Sequence, residues 1–483
     1  MIYQYLSIEL IICITGLVLL AMDAVGVRKQ GAMVGVSVLG LVLAGLMGVV
    51  NFKTLPPTGL FNGSYVVDHL SIYLKELMLL ITLMSVLIST EYVSQKMEHN
   101  AGEFYALVVF VLLGMIFMAS AGDLVTIFIA LETTSMPLYV LAAAGKYDQR
   151  SAEAGMKFFL LGALASAFYL FGAAMLFGSL GTMYLAQFPI AMQSVTSNQP
   201  AVILGMLCVI TGFSFKVAAA PFHMWAPDTY QGAPTAVTAF LSTGPKVAGV
   251  AVLLRLLMGG FFVMRQDMSL RLDWVLVISA LSLLSMTVGN LVAMHQGNIK
   301  RMMAFSGIAH MGYIFVGLSA ASAKGVTAVI FYQFLYTIAN LGAWGVIMLF
   351  TLRTGSDEIS SFAGMSRRAP GLSMLLMLAF ISLAGLPPLG GFVGKFYLFA
   401  AAWESGLPWL VVAGVVNSVA SLYYYLGVLR VVYFQPAEDE EPVLMSLPFK
   451  FAYAIALFAI VVLGLFPPMN EWAFNVATTF ASR

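Results

Sequence analysis

Apolar runs of about twenty residues follow one another along almost the whole chain, and nearly all of the charge lies in the short stretches between them. As a helix rising about 1.5 Å per residue, each run matches the ~30 Å hydrocarbon core of a bilayer. We read about fourteen spans, at residues 6–26, 31–50, 70–90, 104–119, 122–142, 157–180, 201–230, 233–257, 273–294, 301–320, 325–352, 371–402, 406–432 and 449–469. The expected fold class is an all-α polytopic membrane protein. Composition agrees: the 483 residues are 61% hydrophobic and 9% charged, with a mean hydropathy of +0.94. Soluble domains carry about a quarter charged residues, so an ordinary globular enzyme is excluded. The first run lacks a basic start, is too long for a signal core and ends near Arg28-Lys29, so it reads as a retained span.

The chemistry is bounded early. A net charge of +1 gives no reason to expect a nucleic-acid partner. The two cysteines, Cys13 and Cys208, lie far apart in apolar spans, which does not support an iron–sulfur cluster or structural zinc site. His69, His99, His223, His295 and His310 form no ligand motif, and no redox centre is expected in this chain. Gly394-Lys395 looks like the end of a phosphate-binding loop, but Leu389 replaces its first glycine and Phe396 its hydroxyl residue. The 35 Phe and 30 Met residues suit lipid-facing and helix-packing surfaces.

Two spans are too long and are interrupted. Residues 201–230 contain Pro221 and Pro227, and 371–402 contain Gly385-Leu386-Pro387-Pro388-Leu389-Gly390-Gly391. Each is the fourth span of a five-span block, one starting at 104 and the other at 273. Broken helices at matching positions of two halves point to inverted repeats with a site at mid-membrane. The expected division is a three-helix segment at 1–100, repeats at 104–257 and 273–432, and a C-terminal helix at 433–483. Thirteen Lys and Arg fall on one side of the spans and six on the other, which orients both termini outward. The weak point is the outer loop around 255–271, with Arg255, Arg265 and Arg271. The acidic run at 438–441 reads as a solvated loop.

The informative residues are the ionisable ones inside spans. Glu132 lies nine residues past Asp123 and His310 ten beyond Lys300, so both are about 14–15 Å deep. Lys216 precedes Pro221, Lys246 follows Pro245, and Lys395 follows the second break. A Lys or Asp at a helix centre costs roughly 2.5–3.5 kcal/mol against lipid, so the three lysines and Glu132 together would cost on the order of 10 kcal/mol. They are therefore expected to face the interior, near water or a counter-charge. Burial disfavours an ammonium and a nearby carboxylate restores it, so a lysine whose carboxylate approaches and withdraws can take up and release a proton. A row of such groups amounts to a proton relay. Structural Glu–Lys pairing and a hydrogen-bonded core histidine are the bland alternatives. His223 is a further candidate, its other role being to satisfy backbone freed by the break. Lys75 and Glu76 read as snorkelling, Asp123 as a helix cap, and Glu9 and Asp23 are given no role.

Several segments carry a family resemblance. They are Ala130-Leu131-Glu132 with Ser135-Met136-Pro137-Leu138-Tyr139, the run from Ser151 to Ala163, Phe215-Lys216 through Pro221-Phe222-His223 to Asp228, Lys300-Arg301 with Ser306 to Tyr313, and Gly385 to Phe396. From about residue 60 to 435 the chain resembles the antiporter-like membrane subunits of proton-pumping NADH:quinone oxidoreductase, respiratory complex I, and among them the subunit N family. Mrp antiporter and membrane-bound hydrogenase subunits share the Lys–Pro-Phe-His motif and give the alternative reading. A scaffold that only spaces the membrane arm is a third. The resemblance implies fourteen helices with inverted repeats. It implies that Glu132 modulates Lys216, that Lys246 connects and that Lys395 terminates the pathway, with His310 in a matching histidine region. It also implies subunits K and M and the lateral helix of L as neighbours. NADH, FMN, iron–sulfur clusters and quinone would then be bound by other subunits, and the location would be a bacterial plasma membrane.

Overall fold

The computed structural model describes residues 2–27, 29–193, 199–262, 273–436, 441–443, 445–465, 473 and 476–477. Arg28, Arg265, Arg271, Arg483, residues 438–440 of the acidic run and most of the C-terminal 18 residues lie outside them. The longer helices, apart from the short ones at Ile2–Tyr5, Phe188–Gln193 and Met365–Arg368, are α1 (Ser7–Ala24), α2 (Gln30–Thr54), α3 (His69–Lys96), α4 (Ala101–Ser120), α5 (Leu124–Ala142) and α6 (Gln149–Leu180). They continue as α7 (Gln199–Lys216), α8 (Trp225–Gly232), α9 (Thr235–Leu241), α10 (Gly244–Leu254), α11 (Trp274–Ala293) and α12 (Ile299–Ser319). The last are α13 (Ala323–Thr354), α14 (Pro370–Ala384), α15 (Gly390–Glu404), α16 (Pro408–Phe434) and α17 (Leu447–Leu465).

Among the described residues, twelve helices are long and apolar enough to cross a membrane, and Pro370–Ala384 and Leu447–Val462 are shorter apolar helices. The first of these is short because Gly385, at φ 84°, turns the chain into the left-handed region and ends the helix. One small departure from all-α is a hairpin between α2 and α3, with β1 (Thr58–Leu60) paired antiparallel to β2 (Tyr65–Val67). Tyr65 also bridges Ala121.

The two five-helix blocks repeat the same local devices. In each, the second helix is capped by a side chain, Asp123 on Val125 and Thr126 N–H, and Asn298 on Lys300 and Arg301 N–H. In each, the third helix is 32 residues long and closes on a left-handed glycine, Gly181 or Gly355. The chain then returns to the cap, through bridges Asp123–Tyr184 and Asn298–Glu358. The fourth span breaks in each, between α7 and α8 and between α14 and α15. Five spans being an odd number, the second block starts on the opposite side of the membrane from the first.

Unlike the sequence reading, the structure also interrupts the eighth span. α9 ends at Leu241 and α10 restarts at Gly244 with Pro245 in its first turn, so Lys246 sits at a helix start and not in mid-helix. The α9–α10 span and α12 are wholly buried, and α13 nearly so, whereas α1, α2, α6 and α16 turn broad apolar faces outward. Many of the buried polar residues are therefore carried by the central helices α9, α10, α12 and α13, with others, Lys216 and Lys395 among them, on the helices around them.

Candidate functional site

The site begins on α5 and α7. Glu132 accepts a hydrogen bond from Ser166 Oγ on α6 at 2.5 Å. One turn along the same face of α5, Ser135 Oγ accepts from Lys216 Nζ at 2.8 Å. No ion pair joins Glu132 directly to Lys216 among the described residues; each is engaged by a serine hydroxyl, Ser166 on Glu132 and Ser135 on Lys216, and Ser135 Oγ itself donates to the Leu131 carbonyl. Lys216 is 7% exposed and is the last residue of α7, where unpaired carbonyls favour a cation.

The chain of groups passes next to α10. Gly249 packs on the stem of Lys216, a methyl added there meeting Lys216 Cγ at 3.7 Å and Val217 Cγ1 at 2.6 Å. One turn earlier on the same helix is Lys246, 1% exposed. Its Nζ has no hydrogen-bond partner among the described residues; it faces the Tyr230 ring at 5.7 Å and the bare backbone of Gly307 on α12. A methyl at Gly307 would stand 2.6 Å from that Nζ and 3.4 Å from Tyr336 Oη, so the glycine is what leaves room for the ammonium. A buried polar atom with no protein partner is a place for water.

His310 lies one turn beyond Gly307. Its Nδ1 and Nε2 contact the hydroxyls of Tyr332 (2.7 Å) and Tyr425 (3.1 Å), and its ring lies 4.9 Å from that of Tyr336 and 5.8 Å from that of Tyr313. Tyr425 also shares a hydrogen bond with Ser306. The Tyr313 ring then carries Lys395 Nζ at 4.4 Å. Lys395, 3% exposed, donates to the carbonyls of Leu383 and Ala384 and to Ser418 Oγ, all at 3.0 Å. Leu383 and Ala384 end α14, so Lys395 reaches back across the break to the carbonyls that the break leaves unpaired. Both break lysines thus occupy the C-terminal end of a leading half-helix, Lys216 by its place in the chain and Lys395 by its reach.

The structure therefore places Lys216, Lys246, His310 and Lys395 along one buried seam, with the half-buried Glu132 at its start. His223 stands apart from it. It is half-buried, its Nδ1 has no hydrogen-bond partner among the described residues, and its ring lies 6.3 Å from that of Phe305. At the break beside it, the Ala220 N–H is satisfied by Ser285 Oγ of α11. Sequence reasoning missed the hydroxyls that join the charged groups: Ser135, Ser166, Ser418, Tyr313, Tyr332, Tyr336 and Tyr425. Ser135, three residues after Glu132, and Tyr332 with Tyr336, four apart on α13, carried a detectable spacing signal.

Three further readings are corrected. Lys75 does not snorkel: it is 1% exposed and pairs with Glu9 at 2.7 Å, both held by Tyr65 Oη. Glu9 therefore has a role, as the counter-charge that lets Lys75 point inward. Glu76 presses a buried, unpartnered Oε1 into the notch at Gly48. Arg255 is no loop residue; it is 6% exposed and forms two hydrogen bonds with Asp68.

A transmembrane family described as NADH:quinone oxidoreductase/Mrp antiporter matches residues 121–421. The NADH-quinone oxidoreductase subunit N of Trichlorobacter lovleyi is 41% identical over 465 residues, covering 95% of this chain and 94% of that one. Among solved structures, a chain of respiratory complex I from Thermus thermophilus with bound aureothin is 31% identical, with a TM-score of 0.80 over 96% of this chain and 98% of that one. A chain of the Mrp complex from Dietzia sp. shares the fold at a TM-score of 0.87 and 20% identity, over 100% of this chain and 99% of that one. With identity this high over nearly the whole length, the chain belongs to the NADH:quinone oxidoreductase/Mrp antiporter transmembrane family, on its subunit N branch.

Proposed function

We propose that this chain moves protons across the membrane as the subunit N of an NADH:quinone oxidoreductase, driven by quinone reduction elsewhere in the complex. The observation that carries the reading is the continuity of the seam: Lys216, Lys246, His310 and Lys395 are each 7% exposed or less and follow one another through hydroxyls, rings and a single short helix. Four buried titratable groups in sequence stabilise a membrane fold poorly and serve a proton pathway well. Glu132 governs the charge on Lys216 through Ser135 and Ser166, Lys246 connects the two halves, and Lys395 ends the path. A carboxylate that shifts by one hydrogen bond changes how strongly the neighbouring ammonium holds its proton. The residues act by holding and passing protons, while NADH, FMN, iron–sulfur clusters and quinone belong to other subunits.

The same reading assigns residues 104–257 and 273–432 to the two repeats, and subunits K and M with the lateral helix of L as membrane neighbours. It places the chain in a bacterial plasma membrane with both termini outside. The competing reading, a sodium–proton antiporter or membrane-bound hydrogenase subunit, has less support, since the Mrp chain is 20% identical against 41% for the Trichlorobacter lovleyi subunit N. Mass spectrometry of co-purifying subunits separates the two: flavin and iron–sulfur subunits for the first, small membrane proteins alone for a sodium–proton antiporter.

The decisive test is proton pumping by the assembled complex in liposomes. Lys216→Ala and Glu132→Ala are each expected to lower it strongly with assembly retained. Wild-type pumping by either assembled variant overturns the reading, and wild-type pumping by every lysine variant establishes a scaffold.

A further inference from the structure

Five buried charges lie outside the seam, at the helix ends on the side of the N-terminus: Glu9, Lys75, Asp68, Asp123 and Arg255; of these, Asp123 is accounted for as the cap of α5. Glu9 and Lys75 are joined through Tyr65, as described. Asp68 and Arg255 have a different reach. Arg255 follows α10 directly, in a π-helical turn spanning Arg255–Gly260, a geometry seen mostly as single-turn insertions and frequently at functional sites. Its Nη1 and Nη2 donate to the two carboxylate oxygens of Asp68 at 3.2 and 2.9 Å, and its Nε donates to the carbonyl of Ala119 at 2.7 Å. Asp68 is itself fixed, since it caps α3 by accepting from the Ser71 N–H while Ser71 Oγ accepts from its own N–H. One guanidinium therefore ties the end of α10 to the start of α3 and the end of α4.

This matters because of what α10 carries. Lys246 lies nine residues before Arg255, about 14 Å along the helix, and its ammonium has no hydrogen bond among the described residues. Among those residues no contact to Lys246 Nζ fixes its height in the membrane; the helix does. That helix is only 11 residues long, begins after the irregular junction at Ser242-Thr243 and has no charge besides Lys246. It also supports Lys216 through Gly249. A slide of α10 by one residue rise, about 1.5 Å, would carry the ammonium off the space left by Gly307 and the stem of Lys216 off Gly249.

We propose that Arg255 and Asp68 are positioning residues for proton transfer: their buried pair sets the axial placement of α10, and so aligns Lys246 with Lys216 on one side and His310 on the other. A buried ion pair is a weak device for stability alone, since neutral side chains of similar volume replace such pairs at little cost. Its directional, bidentate geometry suits placement.

This proposal rests on the relay reading of Lys246, and the experiment separates the two. Assembled complexes carrying Arg255→Met with Asp68→Asn, Arg255→Lys alone, and Lys246→Ala are reconstituted in liposomes, and protons moved per NADH oxidised are measured. The double variant removes both charges while Asn continues to cap α3. Lysine keeps the charge but loses the two-pronged contact. The expected result is a threefold or greater fall in the ratio for the double variant and a twofold fall for Arg255→Lys, with assembled complex near the wild-type amount. A wild-type ratio in assembled Arg255→Lys or in the assembled double variant, beside a defective Lys246→Ala, overturns the positioning role. A wild-type ratio in Lys246→Ala overturns the relay reading instead. If the double variant does not assemble, Arg255→Lys alone decides.

Discussion

Lys216 Nζ donates to Ser135 Oγ at 2.8 Å, and Glu132, one turn away on the same helix, is engaged by Ser166. The acid and the base of the first half are thus each held by a serine hydroxyl and are not locked to each other as an ion pair among the described residues. A hydrogen bond to a charged group is worth about 1.5–3 kcal/mol. Ser135→Ala is therefore expected to slow proton translocation about tenfold or more without loss of assembled complex, as read by acidification of reconstituted liposomes. Unchanged pumping would show that Lys216 takes its cue from another group.

At Gly307 the space for Lys246 is defined by an absent side chain. Gly307→Ala brings a methyl to within 2.6 Å of Nζ and is expected to abolish most pumping. Gly342→Ala on α13 meets its nearest neighbour, Ala456 Cβ, at an ordinary 3.4 Å and serves as the tolerated comparison. Equal behaviour of the two variants in a pumping assay would count against a tight seat for Lys246.

Gly385 does two jobs. Its φ of 84° costs an L-residue about 1–2 kcal/mol, and a methyl there would meet Lys395 Cδ at 2.9 Å. Gly406 has φ 81° with nothing near it. Alanine at 406 is expected to lower thermal stability slightly with normal pumping, whereas alanine at 385 lowers both. Melting temperature and proton-to-electron ratio, measured on the same preparations, check the split.

Removing one partner of a buried pair leaves a stranded charge, at about 3–5 kcal/mol. Glu9→Gln or Lys75→Met is expected to reduce the amount of assembled complex on native gels several-fold. The double variant Glu9→Leu/Lys75→Met should recover much of it. A double variant as poor as either single one would mean the pair matters for more than charge balance.

The spans, the two breaks and the five ionisable residues were legible because each rests on a local signal: a run of apolar residues, a proline or glycine cluster, a charge where lipid forbids one. The break between α9 and α10 was marked only by Pro245, which at a helix start is as ordinary as in a kink. Ser135 and Tyr336 offered only a helical spacing, three residues from Glu132 and four from Tyr332. Serines and tyrosines are tolerated anywhere on a membrane helix, so only the arrangement of neighbouring helices shows that these face a lysine or a histidine. Lys75 was misread because its partner, Glu9, is 66 residues away in sequence, beyond any periodicity. Arg255 was misread because a charge at the end of an apolar run looks the same whether it meets water or a carboxylate.

The two break lysines rest on the carboxyl ends of truncated helices, where an array of aligned peptide dipoles supplies part of the counter-charge. That part of the binding belongs to main chain, which no rotamer change of a neighbouring side chain can switch off. With the Lys395 side chain kept in place, discharging it calls for tilting, unwinding or translating the segment ending at Ala384. The natural stroke of such a device is mechanical motion of a rod, with electrostatics following from it.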